Sequence, residues 1–360
     1  MSEVCSRICP VEIQCRSKCV KGIKGDPVQI NFLEQFVNDW AKENKIQYNY
    51  HIKNSINKKV AIIGSGPAGI ACAYELAKAG VNDITIFEKE EKSGGILVYG
   101  IPDFRLSKDI VENVIKKLKK LNVKIKNNVV FGKDVTIDSL KNEGYEIIFI
   151  ALGATKTSTY KLTEEDVNNI YRYDDFLKSY NTKTPIKNLG RCIVIGGGNS
   201  ALDSARVAKK SGANEVYILY RRNEELMPAC KSELEDTISD GVKIMYQTRV
   251  DSAKVENNRI KSLNCLKTKI QNEKAIDIEN SEFDFNADTV IFAIGSKVDN
   301  TLFEKIGIKT ENGLVSVNEK YETNIENVYA GGDLVETKSS VARAMATGKK
   351  VAQAIIDSIK

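Results

Sequence analysis

Histidine is almost absent. The 360 residues hold one, His51, in a polar stretch between Asn49 and Asn57 that carries no motif. Acid–base catalysis or metal ligation through imidazole would rest on that residue alone, and a position outside any motif reads as a solvated linker residue. Long apolar runs are missing too: no stretch of 18 apolar residues exists, and the first residues are polar and cysteine-rich. That speaks against a membrane span and a secretory leader and leaves the cytoplasm as the expected compartment. Charge of one sign is not in large excess, with 53 basic against 48 acidic residues and a net +5. The densest basic stretch, Lys116 to Lys126, alternates with Leu118, Leu121, Val123 and Ile125. It reads as the solvated face of a helix running into a strand, and no nucleic-acid partner is expected.

What is present is a pair of glycine-rich turns in the same context. The first follows the apolar strand Val60 to Ile63, runs through Gly64-Ser65-Gly66-Pro67-Ala68-Gly69 into an apolar helix, and closes on strand Ile84 to Phe87 followed by Glu88. The second follows Cys192 to Ile195, runs through Gly196-Gly197-Gly198-Asn199-Ser200-Ala201, and closes on Val216 to Tyr220 followed by Arg221 and Arg222. Strand before, helix after and a recognition position about 20 residues on are the context a dinucleotide fingerprint requires. The glycines permit close backbone approach, so that the helix amino terminus faces a pyrophosphate. A carboxylate at the tip of the second strand accepts hydrogen bonds from a ribose hydroxyl, whereas guanidinium groups there pair with the 2′-phosphate that separates NADP from NAD.

Each fingerprint is followed by a buried strand ending in an Ala-x-Gly turn: Ile147 to Gly153 and Val290 to Gly295. After both comes Val328-Tyr329-Ala330-Gly331-Gly332-Asp333, whose Gly-Asp end suits the ribityl and phosphate region of a flavin. The apolar-periodic helix Ser339 to Ile356 would then point its amino end at the isoalloxazine ring. A strand of this kind so late in the chain implies that the carboxy terminus completes the first nucleotide domain and that the second is an insertion in it. The expected fold is α/β, with two Rossmann-like domains, the NADPH domain inserted in the FAD domain, and a small helical cysteine-rich domain in front. The expected divisions are 1–57 for the cysteine-rich domain and linker, 58–157 and 299–360 for the FAD domain, and 158–298 for the NADPH domain. Hydride transfer between a nicotinamide and a flavin needs alignment and no protein acid or base, so no catalytic side chain is required and the scarcity of histidine is no obstacle.

The loop Gly94 to Leu106 is too glycine-rich for a regular element and suits a place against a cofactor, where Arg105 would meet a phosphate or flavin carbonyl or, alternatively, form an ion pair with Asp103 or Asp109. A short helix is expected over Asp174 to Tyr180. Asp26-Pro27 reads as the opening of a helix in which Ile30, Leu33, Phe36, Val37 and Trp40 recur at helical spacing, with Trp40 as a core anchor. Eight cysteines without a secretory leader point to reduced thiols or metal ligands. Cys72, Cys192 and Cys265 lie in apolar patterns and read as core, while Cys230 stays open. No pair has C-x-x-C or C-x4-C spacing beside either nucleotide fold, which counts against a disulfide reductase. Cys5, Cys9, Cys15 and Cys19 cluster near the start, a spacing that suits iron–sulfur or zinc almost equally.

Taken together, the words Cys-Pro-Val-Glu-Ile-Gln-Cys-Arg-Ser-Lys-Cys-Val from Cys9, Gly-Gly-Ile-Leu-Val-Tyr-Gly-Ile-Pro from Gly94, Gly-Gly-Gly-Asn-Ser-Ala-Leu-Asp from Gly196, Tyr-Arg-Arg-Asn-Glu-Glu-Leu-Met-Pro-Ala from Tyr220 and Ala-Gly-Gly-Asp from Ala330 resemble the small (beta) subunit family of NADPH-dependent glutamate synthase. That group includes the amino-terminal half of dihydropyrimidine dehydrogenase and the large subunit of the bifurcating ferredoxin:NADP oxidoreductase. The resemblance implies an oxidoreductase with FAD held by Gly64, Gly66, Pro67, Ala68, Gly69, Glu88, Lys89, Gly95, Ile96, Arg105, Gly332, Asp333 and Val341. It implies NADPH held by Gly198, Asn199, Ser200, Arg221 and Arg222. For the metal it implies ligands matching Cys9, Cys15 and Glu34 in one cluster and Cys19 in another, each completed upstream. Four upstream cysteines of the family pattern have no match here, so one 4Fe-4S cluster on Cys9, Cys15 and Glu34 with Cys5 or Cys19 is the most this sequence is expected to support. Completion by a partner chain, zinc, or no metal are the alternatives. The implied role is electron input to a larger catalytic subunit or an acceptor such as ferredoxin. The alternatives are an iron-free flavoprotein whose cysteine segment only docks a partner, and a ferredoxin:NADP or sulfur-acceptor reductase subunit.

Overall fold

A computed structural model describes residues 1–46, 52, 55–337 and 340–359, so His51 lies outside the described residues. Their contacts form two units, Met1–Val98 with Asp103–Thr155 and Val298–Lys360, and Tyr99–Pro102 with Lys156–Lys297.

The first unit begins with helices α1 (Ser2–Ile8) and α2 (Ile30–Glu43). Helix α2 starts three residues beyond Pro27, with Gln29 at its amino cap. It buries none of its residues, which corrects the expectation of a core anchored by Trp40. The reason lies in which edge packs: Ser2 Oγ donates to Asn38 Oδ1 at 3.1 Å and Arg7 pairs with Asp39, so the polar edge of α2 meets α1. Periodicity reports an amphipathic helix but not which side its neighbour covers.

The nucleotide fold follows as β1 (Ile56–Ile63), α3 (Pro67–Ala79), β2 (Val81–Phe87), α4 (Lys108–Lys120), β3 (Lys124–Lys126) and β4 (Ile147–Ile150). Strand β1 pairs in parallel with β2 and β4, and four buried residues end it, as a strand covered on both faces requires. Ile62, Ile63, Ile70 and Leu76 are fully buried, each contributing about 1.5–3 kcal/mol of hydrophobic stabilisation. Helix α3 takes Pro67 in its first turn and stops at Gly80, whose φ of 101° only glycine adopts freely. Helix α4 buries Val111, Val114, Ile115 and Leu118 and turns its lysines outward before β3, as the sequence indicated. The Gly94–Leu106 segment does contain one regular element, a single helical turn over Ile96–Tyr99, because Leu97 and Val98 find a buried place.

The second unit contains β5 (Ile170–Arg172), α5 (Tyr173–Asn181), β6 (Arg191–Ile195), α6 (Asn199–Lys210), β7 (Glu215–Leu219), α7 (Lys231–Ser239) and β8 (Lys243–Met245). Strands β9 (Thr248–Glu256), β10 (Arg259–Gln271), β11 (Lys274–Asp277), β12 (Phe283–Asn286) and β13 (Thr289–Phe292) complete it. Its parallel sheet has the order β5-β13-β6-β7-β8, and β9 to β12 form an antiparallel sheet around β10. Leu219, Val250, Leu263, Cys265 and Phe292 share one buried cluster of this unit. Arg206 of α6, largely buried, bonds Asp240 at 2.7 Å and Asp236 at 3.4 Å, tying the end of α7 to α6.

The chain then returns to the first unit. Strand β14 (Val328–Ala330) pairs in parallel with β4 and completes the sheet β14-β4-β1-β2-β3. Helix α8 (Val341–Ser358) lies against α3 so closely that a Cβ on Gly348 would stand 2.2 Å from the Ala68 carbonyl oxygen. The expected start of this helix, Ser339, lies outside the described residues.

Candidate functional site

In the first unit, the turn between β1 and α3 is shaped by contact on one side and by space on the other. A Cβ on Gly64 would lie 2.5 Å from the Ala151 carbonyl oxygen and one on Gly69 2.0 Å from that of Gly64, whereas nothing lies within 4 Å of the same position on Gly66. Gly66 caps α3 with no side chain bonded to its first turn, so the orphan N–H groups of that turn remain for an anion. Gly95 approaches Gly66, its would-be Cβ 3.0 Å from the Gly66 Cα, and Gly332 approaches Ala68 at 3.1 Å. Residues separated by more than 200 positions in the sequence thus gather at one helix end. Asp333 follows directly on Gly332, which is held by a 2.8 Å bond from its N–H to Thr347 Oγ1.

Glu88 is buried, and its carboxylate is oriented from within the chain. Ser65 N–H donates to Oε2 at 3.0 Å, the Ser65 hydroxyl donates to the same oxygen, and Glu90 N–H donates to Oε1 at 2.9 Å. Ser65 Oγ also accepts from Gly94 N–H at 2.8 Å, linking the fingerprint turn to the Gly94-Gly95 turn. Lys89 and Ile96 are exposed beside this cradle. Val341 opens α8, whose first turn is already capped by the Ser340 hydroxyl accepting from Arg343 N–H at 3.3 Å.

The second unit carries a cavity of about 540 Å³. Gly196, Gly197, Gly198 and Ser200 form one wall, Arg221 and Arg222 a second, and Ala293 to Gly295 a third. Gly198 caps α6 with no side chain bonded to its first turn and has nothing within 4 Å of its would-be Cβ, repeating the arrangement at Gly66. Among the described residues neither Arg221 nor Arg222 is paired with a carboxylate, while Arg249 in the same cavity is held at 2.9 Å by both Asp277 and Asp251. The free positive charge in the cavity therefore sits at the tip of β7. Asn199 does not line this space: its Oδ1 accepts from Cys230 N–H at 3.0 Å and so fixes the wall segment before α7. Tyr220 OH donates to Leu226 O at 2.7 Å and holds the same segment.

Tyr160, Tyr220, Pro228 and Arg249 line the cavity without having been singled out as contacts in the sequence. Tyr160 donates to Val250 O at 2.9 Å and packs its ring edge on Phe292 with centroids 5.0 Å apart. Burial pushes its hydroxyl up to about 12, so it remains a neutral donor. Of these four, Tyr220 and Pro228 lay inside a recognisable word, and Tyr160 and Arg249 lay in none.

The cysteines are brought together in part. Cys5 lies on α1 and Cys9 at its carboxy cap, and Cys5 Sγ contacts Met345 Sδ of α8 at 3.6 Å. The two thiols interact: a hydrogen bond from Cys9 holds Cys5 below the usual thiol range, and the same contact together with burial pushes Cys9 up. Cys19 is separate, its sulfur accepting from Val28 N–H at 3.4 Å. Glu34 is exposed on α2. Among the described residues no group of three or more histidine, cysteine, aspartate or glutamate side chains stands close enough to hold a metal. The set Cys5, Cys9, Cys15, Cys19 and Glu34 therefore does not by itself fit a 4Fe-4S cluster as placed. Cys72, Cys192 and Cys265 are buried core residues, and burial pushes the Cys265 thiol up to about 12. No helix among the described residues is long and apolar enough to cross a membrane.

Two parallel nucleotide-type sheets, each ending a strand at a glycine turn and an uncapped helix, define the class as a two-dinucleotide oxidoreductase fold. Comparison with known proteins specifies it. The model of the pyridine nucleotide-disulphide oxidoreductase family matches residues 58–348, and that of dihydropyrimidine dehydrogenase domain II, 4Fe-4S cluster, matches residues 1–46. The glutamate synthase (NADPH) small chain of Escherichia coli (strain K12) is 28% identical over 382 residues, covering 99% of this chain and 80% of that one. The NADP(+)-dependent formate dehydrogenase subunit beta of Moorella thermoacetica is 32% identical over 377 residues, covering 95% of this chain and 52% of that one. The chain thus spans about half the length of that second relative. The solved structure of Mycobacterium tuberculosis FprA in complex with NADPH superposes with a TM-score of 0.69 at 20% identity, over 84% of each chain. The chain belongs to the pyridine nucleotide-disulphide oxidoreductase family, with the amino-terminal domain of the dihydropyrimidine dehydrogenase type and relatives that include glutamate synthase small chains.

Proposed function

We propose that this chain is an NADPH-dependent flavin oxidoreductase that acts as an electron-input subunit for a partner protein. The observation that carries the reading is the pair of uncapped helix ends with opposite chemistry at the strand tips: buried Glu88 beside one, and beside the other Arg221 and Arg222, neither paired with a carboxylate among the described residues. FAD would lie along Gly64 to Gly69, Glu88, Gly95, Arg105, Gly332 and Asp333, and NADPH in the second unit's cavity along Gly198, Ser200, Arg221 and Arg222. A bound flavin accepts two electrons as hydride and can release them singly. The protein's own part is to bind and orient: N–H groups of α3 and α6 face phosphates, Glu88 faces ribose hydroxyls, and the two arginines select the 2′-phosphate.

Relatives named as a small chain and a subunit beta support a partner, either a larger catalytic subunit or an acceptor such as ferredoxin. A second reading is an iron-free flavoprotein whose cysteine segment serves docking. Flavin, iron and acid-labile sulfide analysis of protein purified without oxygen tests both. FAD bleached by NADPH supports the oxidoreductase reading, and roughly four irons per FAD would establish one cluster. FAD without iron selects the second reading. Absence of FAD, or fast turnover of a small organic substrate without any partner protein, would sink the first.

A further inference from the structure

Helix α2 is turned inside out. A hydrogen bond at Asn38 and an ion pair at Asp39 join it to α1, while Phe32, Leu33, Phe36, Val37 and Trp40 are 50–67% exposed. These residues recur at helical spacing and share one face, so the helix gains little hydrophobic stabilisation from its own chain. Five such side chains present on the order of 700 Å² of apolar surface, above the ~300–600 Å² of the largest patch on a typical monomer. That area approaches the ~800 Å² each partner contributes to a standard interface.

We propose that a second copy of this chain covers the face, with two α2 helices packed antiparallel about a two-fold axis beside Phe36. A two-fold interface must be self-complementary, and this face is: the aromatic rings at Phe32, Phe36 and Trp40 recur every four residues, symmetrically about Phe36. Antiparallel pairing sets Phe32 against the second copy's Trp40 and Phe36 against itself. The same register sets Glu34 against Asn38, Lys42 against Ile30 and Glu43 against Gln29, so no like charges meet. An aromatic centre with polar edges is the composition of interfaces that exclude water. The inference is independent of which electrons the chain carries.

Trp40 is the only tryptophan of the chain, so its fluorescence reports this face alone. The test measures molar mass by light scattering and Trp40 emission over a concentration series of the full chain. Doubling of mass, with emission moving to shorter wavelength over the same range, is the expected result. Phe36→Glu should weaken the association at least about thirty-fold, as loss of a central anchor does. Ile276→Glu, at an exposed position of the second unit, should leave it unchanged. A single-chain mass at every concentration with unshifted emission would overturn the proposal. A dimer that survives Phe36→Glu with Trp40 still in water would overturn it as well, by placing the contact elsewhere.

Discussion

The two nucleotide folds can be laid on each other by strand register. Ile63 pairs with Phe87 in one and Ile195 with Leu219 in the other, so Glu88 corresponds to Tyr220, and Arg221 to Lys89. In the first fold the slot beside the glycine turn holds a carboxylate gripped by Ser65. In the second the Tyr220 ring occupies that slot, and the serine's counterpart is Gly197, where a Cβ would lie 2.5 Å from the ring. The third glycine differs as well: Gly69 tolerates no methyl, while Ala201 carries one. The two folds thus differ at the strand tip, and each turn is fitted to the residue there, Ser65 to an acid and Gly197 to a tyrosine ring.

Exchanging the matched positions breaks this comparison most severely at Gly69. Gly69→Ala forces a methyl to within 2.0 Å of the Gly64 carbonyl oxygen, and we expect a loss of about 1–3 kcal/mol with release of flavin. Ala201→Gly should cost only about 1 kcal/mol, through helix propensity, with flavin retained. Thermal unfolding with flavin content reads both, and equal losses would refute the asymmetry.

The double change Arg221→Ala and Arg222→Ala should raise the KM for NADPH roughly 10- to 100-fold, the worth of charge-assisted bonds of about 1.5–3 kcal/mol, and leave that for NADH little altered. Equal effects on the two would remove the arginines from 2′-phosphate recognition. A milder exchange separates the slots: Ser65→Ala should weaken flavin retention by removing a donor to buried Glu88, about 1 kcal/mol or more. Gly197→Ala should displace Tyr220 and lower NADPH affinity while the flavin stays bound, as equilibrium dialysis would show. The smallest effect lies at the other end of the strands, where Asp83 pairs with Lys124 and Glu215 with Lys243. Glu215 also meets Arg191, and the two cations hold its carboxyl down to about 2 from 4.5. A depressed carboxyl contributes stability above its unfolded value and loses it as pH falls, so Glu215→Gln should differ from wild type above about pH 4.5 and converge with it toward about pH 2. A constant difference across that window in pH-dependent unfolding would contradict this role.

Much of this was legible in the sequence because it is local. Apolar runs ending in glycine placed both β1–α3 and β6–α6, and a late apolar strand indicated that β14 returns to the first sheet. Helix α2 shows the limit: spacing identified the apolar stripe of Phe36 and Trp40, but burial depends on a neighbour the spacing does not contain. Arg249 and Tyr160 reach the cavity through strand β9 and the segment before β5, where no turn or motif marks them. The place of Glu88 at the strand tip was readable, but its bonds to Ser65 and Glu90 come from close packing. The cysteine spacing suggested a metal set, and only the fold shows the Cys19 sulfur accepting from Val28 N–H.

The order of strands in the first sheet has a consequence during synthesis. Strand β4, already paired with β1, has one edge that only β14 can cover, and β14 leaves the ribosome after the whole second unit. The inserted second unit is thus fully synthesised while the first, begun before it, still lacks its last strand, the reverse of the usual amino-to-carboxy sequence of domain folding. Until then an unpaired parallel edge of Ile147 to Ile150 stays open, an aggregation hazard confined to the nascent chain.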